Sequence, residues 1–416
     1  MSKPSKQLIR IDQAALDKIV AKHEAYRRAR TGGARAQLAN HDLSHLNLVG
    51  CDLSQADFTN SVLVETNFEK AKLDYCLFYA CDLRQANFRD ASLLRADLRG
   101  ACMRGAVMAG ADLTGADLRE GALAVYDPEK GLSFAHDNAA WADGVGGVDL
   151  RGANLGNVKM SGTVATSSNF SDANLSNATI IRGNLSGANL SGANLSGADL
   201  SMCELENVNM RDANLSGVLM DHSKLVNVDT TGALTDRAAG PTLDSLSLPL
   251  DQLLKLHNLW LESNGAKGKK LVLDGYDLRK APPLKRTNLT MMSAERAVFH
   301  GMDFSQSQMQ AVQFSGSDLR NCNFIQADLR GSNFANAKLV SAKFYGAQLA
   351  PLQLGNQRKL KSNFAGAALR YADFTGANLH AANFTGADLS YADFTKADIS
   401  EAVFTDAILE NTKIER

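Results

Sequence analysis

Apolar residues recur along this chain at every fifth position, and little else about their spacing is regular. From Leu38 the steps pass through Leu43, Leu48, Leu53, Phe58 and Leu63 to Leu123, with only Leu, Phe or Met at all eighteen positions. A second run covers sixteen positions from Leu150 to Leu225, with Ala165 alone out of character. A third covers twenty-seven positions from Leu284 to Ile414, with Ala294 and Lys359 as exceptions. Two residues before most centres stands a small residue, as in Ala86-Asn87-Phe88 and Ala193-Asn194-Leu195.

A period of five suits neither regular element. In an α-helix, steps of five scatter successive centres around the axis and no apolar stripe forms. In an unbroken strand an odd step moves each centre to the opposite face. A short extended segment followed by a turn resolves both. The centre and the small residue two before it then point inward together, and the next pair, often Ser-Gly or Thr-Gly, turns the corner. Phenylalanine sets the number of sides. Sixteen of the seventeen Phe lie on the five-step series, all but Phe134, and they recur every ten residues. Like stacks on like only if a coil has an even number of sides, and a two-sided coil is too thin to hold Phe. The pattern predicts an all-β solenoid: a four-sided parallel β-helix with about twenty residues per coil and about 4.8 Å between coils.

The tandem of small residue, Asp or Asn, and Leu resembles the pentapeptide-repeat family. Its cleanest stretch is Ser186-Gly-Ala-Asn-Leu-Ser-Gly-Ala-Asn-Leu-Ser-Gly-Ala-Asp-Leu200. The resemblance implies a right-handed coil, in agreement with the crossover rule. It also implies a scaffold with many unrelated uses. Some members of the family mimic duplex DNA and bind DNA gyrase, conferring quinolone protection.

Two segments depart from the repeat in the same way. Ile11 to Ala29 places Leu16, Ile19, Val20, His23 and Tyr26 on one helical face, with Asp12 as N-cap and Gly32 as the stop. After Pro249, Leu250, Leu253, Leu254, His257, Trp260 and Leu261 form a similar face that ends at Gly265. His23 aligns with His257, Tyr26 with Trp260, and Gly33 with Gly268. The chain therefore reads as a duplication of a short capping helix and a solenoid. The expected segments are a helical cap at 1–37, a first β-helix at 38–230, a linker at 231–248, a second cap at 249–272 and a second β-helix at 273–416.

Residues 124–148 interrupt the first β-helix and hold types that the repeats avoid. Tyr126, Phe134, His136 and Trp141 make this inserted loop the candidate partner contact. A smaller irregularity surrounds Gln357, Arg358, Lys359 and Lys361. The last repeats, with Phe404, Leu409 and Ile414, have no helix after them and are the candidate self-association end, giving a homodimer through the C-terminal coil.

Composition narrows function mainly by exclusion. The formal net charge is −1, which gives no general attraction to nucleic acid or anionic membranes. No run of about 18 apolar residues is present to span a membrane, and the basic, polar start reads as no secretory signal. These features predict a cytoplasmic protein. Five of the six cysteines (Cys51, Cys76, Cys81, Cys203 and Cys322) occupy the small slot, so they read as buried fillers rather than disulfides or metal ligands. The eight histidines are dispersed, and His23 and His257 read as cap packing. Asp52, Asp57, Asp82, Asp97, Asp112, Asp117, Asp199, Asp388 and Asp393 precede centres throughout, so they mark the repeat, as a solvated ladder, and no acid–base pair. Two basic Gly-rich turns, Gly32 to Arg35 and Gly265 to Lys270, lack the phosphate-loop pattern. Cation placement at a helix C-terminus accounts for both, and a phosphate or acidic-partner site is the other reading.

No catalytic, cofactor or metal constellation stands out, so no cofactor is expected. The favoured function is a non-enzymatic scaffold that binds another protein, of unspecified identity. The alternative is a DNA-mimicking modulator of DNA gyrase. Residues 38–235 hold 24 acids and 14 bases, whereas about 40 Å of duplex would carry roughly 24 negative charges. Residues 291–416 hold 12 of each sign. Charge thus argues against mimicry by the whole molecule.

Overall fold

The computed structural model describes residues 8–119, 124–127, 131–134, 147–354 and 358–414, with 124–127 and 131–134 as backbone. The chain divides into two compact units, Met1–Asp236 and Arg237–Arg416. Each is a four-sided solenoid of parallel bridges. In the first, Gln37 pairs with Asp57, Asp57 with Leu77, Leu77 with Asp97 and Asp97 with Asp117, one coil of twenty residues apart at each step. The backbone is satisfied between coils: Leu38 N–H donates to the Asp57 carbonyl at 2.7 Å, and Asp57 N–H to the Ala36 carbonyl at 3.1 Å.

Each corner is a turn in which a residue's N–H donates to the carbonyl of the centre three positions earlier, as Ser61 to Phe58 at 3.0 Å. The second residue after the centre takes a positive φ, for example 58° at Asn60 and 59° at Gln85. No Val, Ile or Thr occupies this slot among the described residues, because a β-branched side chain clashes there. Gln85 is exposed, which makes it a clean test. Gln85→Asn is expected to raise stability by up to about 1 kcal/mol, and Gln85→Val to lower it by about 1–2 kcal/mol. Urea unfolding of the two variants checks the sign.

The core alternates by side. Phe58 stacks on Phe78 one coil later at 4.9 Å and 4°, while it meets Phe68 across the core edge-on at 5.9 Å and 90°. Where Phe recurs every ten residues, it lines two opposite sides, and the rings from Phe58 to Phe88 and from Phe304 to Phe394 are buried. Polar members of the small slot donate inward: Ser61 Oγ to the Leu38 carbonyl at 2.6 Å and Cys76 Sγ to the Leu53 carbonyl at 3.0 Å. All six cysteines are free, and five are buried.

Three places break the twenty-residue spacing. Asp117 pairs with Lys159, forty-two positions on, so the first solenoid closes over twenty-two extra residues. Asp277 pairs with Val298, one residue beyond the usual spacing, after Ala281-Pro282-Pro283. Asn333 pairs with Asn363, ten beyond it. The sequence pattern counts Leu354 as a core centre and Lys359 as an exception on the same series, but both belong to an antiparallel hairpin outside the coil. Ten residues are two whole repeats, so this insertion leaves the five-step phase intact and is invisible to it.

Helix α1 (Gln13–Arg27) leads the first solenoid and α2 (Leu250–Glu262) the second. Asp12 caps α1 by accepting the Ala15 N–H at 2.8 Å, as its type suggests. The positive-φ stop after α1 is Ala29 at 50°, ahead of the expected Gly32. Leu16, Val20 and His23 are buried, whereas Tyr26 is exposed. An added Cβ on Gly33 would lie 2.3 Å from Tyr26 N, and one on Gly268 would lie 2.2 Å from the Leu256 carbonyl oxygen. The aligned glycines thus sit where the chain doubles back against its helix.

His23 and His257 fasten these helices to their coils. His23 Nδ1 accepts the Ala36 N–H at 2.9 Å, and its Nε2 lies 3.1 Å from the Ser54 carbonyl. His257 Nδ1 accepts the Leu271 N–H at 3.1 Å. Both rings are fully buried, and burial pushes both pKa values down.

Candidate interaction surface

What each coil shows to solvent follows from the repeat. The Asp or Asn before a centre accepts the N–H of the residue after it, as Asp57 Oδ1 does from Thr59 at 3.0 Å and Asp199 Oδ1 from Ser201 at 2.9 Å. Only a short side chain with an acceptor oxygen can close this ring, which explains the residue types of that slot. The carboxylates are therefore tied to the backbone rather than forming a freely solvated ladder. Where Arg follows the centre, its guanidinium forks onto the same carboxylate. Arg84 to Asp82, Arg99 to Asp97 and Arg119 to Asp117 each close at 2.7 Å. In the second unit Arg279 holds Asp277 at 2.6 Å and Arg320 holds Asp318 at 2.5 Å. Burial alone would push Asp117 and Asp318 up; the hydrogen bonds from Arg119 and Arg320 outweigh it and hold both below the usual carboxylate range.

Asparagines stack into ladders. Asn174 Nδ2 donates to Asn154 Oδ1 at 2.8 Å, Asn194 to Asn174 at 3.1 Å and Asn214 to Asn194 at 3.1 Å. Against this polar background a few exposed aromatics stand out: Tyr75, Tyr79 with Arg99 lying 5.6 Å over its ring, and Tyr345.

The candidate loop residues separate. Tyr126 lies in strand β1 (Ala124–Asp127) and Phe134 in β2 (Gly131–Phe134), which pair antiparallel with Tyr126 opposite Leu132 and Ala124 opposite Phe134. His136 and Trp141 lie outside the described residues. The second insertion forms a hairpin of β3 (Leu352–Leu354) and β4 (Arg358–Leu360), in which Leu354 is exposed. In the last coil Phe404 is half-buried, and Leu409 and Ile414 are exposed. Burial pushes the thiol of Cys203 up to about 11 and raises those of Cys76, Cys81 and Cys322 further, so all four remain protonated fillers. Among the described residues no group of three or more His, Cys, Asp or Glu is placed to hold a metal ion, and no helix is long and apolar enough to cross a membrane.

The basic turn Gly265 to Lys270, whose other sequence reading is a phosphate or acidic-partner site, places Lys269 and Lys270 in a cleft beside α2, lined also by Ser245, Ser247 and Tyr276 together with apolar residues. The run of lysines after Gly265 was its one signal in the sequence; the serines reach it only through the fold.

The pentapeptide-repeat model matches over 146–180, 173–212, 184–221, 284–321, 317–350, 362–400 and 382–416. A model of the pentapeptide repeat region matches residues 51–126. Together they span well over half of the chain. The chain belongs to the pentapeptide-repeat family. Among solved structures, this pentapeptide-repeat chain is similar to HetL, involved in heterocyst differentiation regulation in the cyanobacterium Nostoc sp. strain PCC 7120. Identity is 21% over 95% of this chain and 98% of that one, with a TM-score of 0.20. It is similar to the plasmid-mediated fluoroquinolone resistance protein QnrB1, with 19% identity over 55% of this chain and 90% of that one and a TM-score of 0.21. A pentapeptide repeat protein of the Arabidopsis thaliana thylakoid lumen is 29% identical over 40% of this chain and 72% of that one, with a TM-score of 0.14. No curated protein matches the chain.

Proposed function

We propose that this chain is a non-enzymatic, cytoplasmic scaffold that binds another protein through its outer surface, with the insertion after Arg119 as the contact. One observation carries the reading. Three of the four sides of the ladder continue across that insertion: Val107 pairs with Asp149, Asp112 with Asn154 and Asp117 with Lys159. The solenoid closes without the twenty-two extra residues, so folding gives no reason to keep them, and additions of this kind on rigid scaffolds carry binding function. Tyr126, Phe134, His136 and Trp141 are the proposed contact residues. The proposal includes a homodimer through the last coil, where Leu409 and Ile414 are 42% and 38% exposed. A gyrase-binding DNA mimic is not favoured, because arginines neutralise outward carboxylates such as those of Asp82, Asp97 and Asp117.

The register sets the test. Deleting 124–145 removes the twenty-two extra residues and leaves Leu123 five positions before Leu150. This variant is expected to keep the far-ultraviolet spectrum and melting behaviour of the intact protein. Affinity capture from the native cytoplasm should then retain a partner on the intact chain and lose it on the variant. A partner held equally by both places the contact elsewhere, and capture of gyrase subunits would replace this reading with the mimic. Sedimentation equilibrium of Leu409→Asp against the parent reads the dimer.

A further inference from the structure

The turn after α2 is rigid. Lys269 N–H donates to the Leu256 carbonyl at 3.0 Å, where Gly268 already brings the chain against the helix, and Leu271 N–H donates to His257 Nδ1 at 3.1 Å. Lys269 and Lys270 therefore stand on backbone pinned on both sides. The segment that completes the cleft is also fixed. Residues Leu243–Ser245 form a 3-10 turn, the Ser245 hydroxyl donates to the Thr242 carbonyl at 2.6 Å, and Asp277 N–H donates to the Pro241 carbonyl at 2.8 Å. Between these elements lies a cleft of about 280 Å³.

Its chemistry has one sign. No carboxylate lines it. Of the acids nearby in sequence, Asp251 is held by Lys255 at 3.4 Å, Asp274 by the Ser293 hydroxyl at 2.7 Å and Asp277 by Arg279 at 2.6 Å, and Asp244, beside Ser245, is not among the lining residues. Lys269 and Lys270 have no ion-pair partner among the described residues, and the hydroxyls of Ser247 and Tyr276 have no hydrogen-bond partner there. Leu253 and Leu271 add apolar wall. Two ammonium groups and two uncommitted hydroxyls call for a compact dianion with several acceptor oxygens. A carboxylate or a sulfate ester brings a single charge, whereas a phosphate monoester carries close to two above its second ionisation at about pH 6. The apolar wall calls for an organic group on the ester.

We propose that this cleft binds a small phosphate monoester bearing an apolar group, with Lys269 and Lys270 holding the phosphate, Ser247 and Tyr276 donating to it, and Leu253 and Leu271 covering the organic part. Calorimetric titration of the full-length chain with phenyl phosphate, above about pH 6 and at low salt, is expected to show one saturable site. Inorganic phosphate should bind at least about tenfold more weakly for want of apolar contact. Phenyl sulfate, a monoanion of the same shape, should be weaker by at least about tenfold. Lys269→Met and Lys270→Met should each weaken phenyl phosphate by about tenfold or more, and Tyr276→Phe by about threefold to tenfold. Lys267→Met, near the cleft but not lining it, should leave the affinity unchanged. Absence of saturation, equal affinity for phenyl sulfate, or equal losses in Lys267→Met and Lys270→Met would each overturn the proposal. The phenyl sulfate comparison needs no variant, so it decides the matter even if a substitution impairs folding.

Discussion

Truncating Phe344 to alanine is expected to destabilise the second solenoid by about 3–5 kcal/mol, the range for a fully buried aromatic ring whose cavity cannot close. Phe344 stacks on Phe324 at 4.9 Å and on Phe374 at 4.8 Å, each within 8° of parallel. It also meets Phe334 and Phe364 edge-on at 6.0 and 5.9 Å. The backbone ladder fixes the spacing of the coils, so neighbours cannot slide inward to fill the hole. Phe404 provides the internal comparison. It stacks on one neighbour, Phe384 at 5.2 Å, and is only half-buried. Phe404→Ala should cost roughly a third as much, because less area leaves water and the end coil can relax. Urea unfolding and hydrogen exchange across the second unit read both variants. Equal losses at the two positions would sink the account of a core held by stacked rings.

The second large effect lies in the caps and depends on pH. His23→Ala is expected to cost about 2–5 kcal/mol near neutral pH, because the Ala36 N–H and the Ser54 carbonyl lose their buried partner together. A proton on His23 Nδ1 would point at that same N–H, so the fastening requires the neutral ring. Burial holds the folded pKa below the ordinary 6.5; the charge of Asp52 opposes this, and Arg27 and Arg35 assist it. The folded state therefore binds fewer protons than the unfolded chain below pH 6.5, and stability rises with pH there. The contribution of His23 is fully present above 6.5 and is lost as pH falls toward the lowered folded value. The gap in stability between parent and His23→Ala should therefore narrow on acidification. A gap that stays constant from neutral to mildly acidic pH would falsify the neutral-ring fastening.

Much of this was legible in the chain because a solenoid is nearly one-dimensional. Each repeat meets only the repeats one coil away, so the spacing of Phe58, Phe68, Phe78 and Phe88 states which rings will stack and on how many sides. The capping helices were legible from their apolar faces, and the Asp12 cap from its residue type. Legibility failed where an insertion kept the phase. The hairpin of β3 and β4 adds two whole repeats, so Leu354 reads as core while its side chain is exposed. It failed again for Tyr26, placed on the inner face by helical period yet left exposed.

Sequence alone determined the four-sided core, because side-chain volume and turn chemistry repeat locally at every fifth residue and no distant contact is needed to specify them. Tertiary structure alone decided which surface groups distant in sequence lie side by side. Ser247, Lys270 and Tyr276 meet only because the chain folds back over α2. A local period carries no record of such meetings, since they depend on which distant segments the completed fold sets side by side.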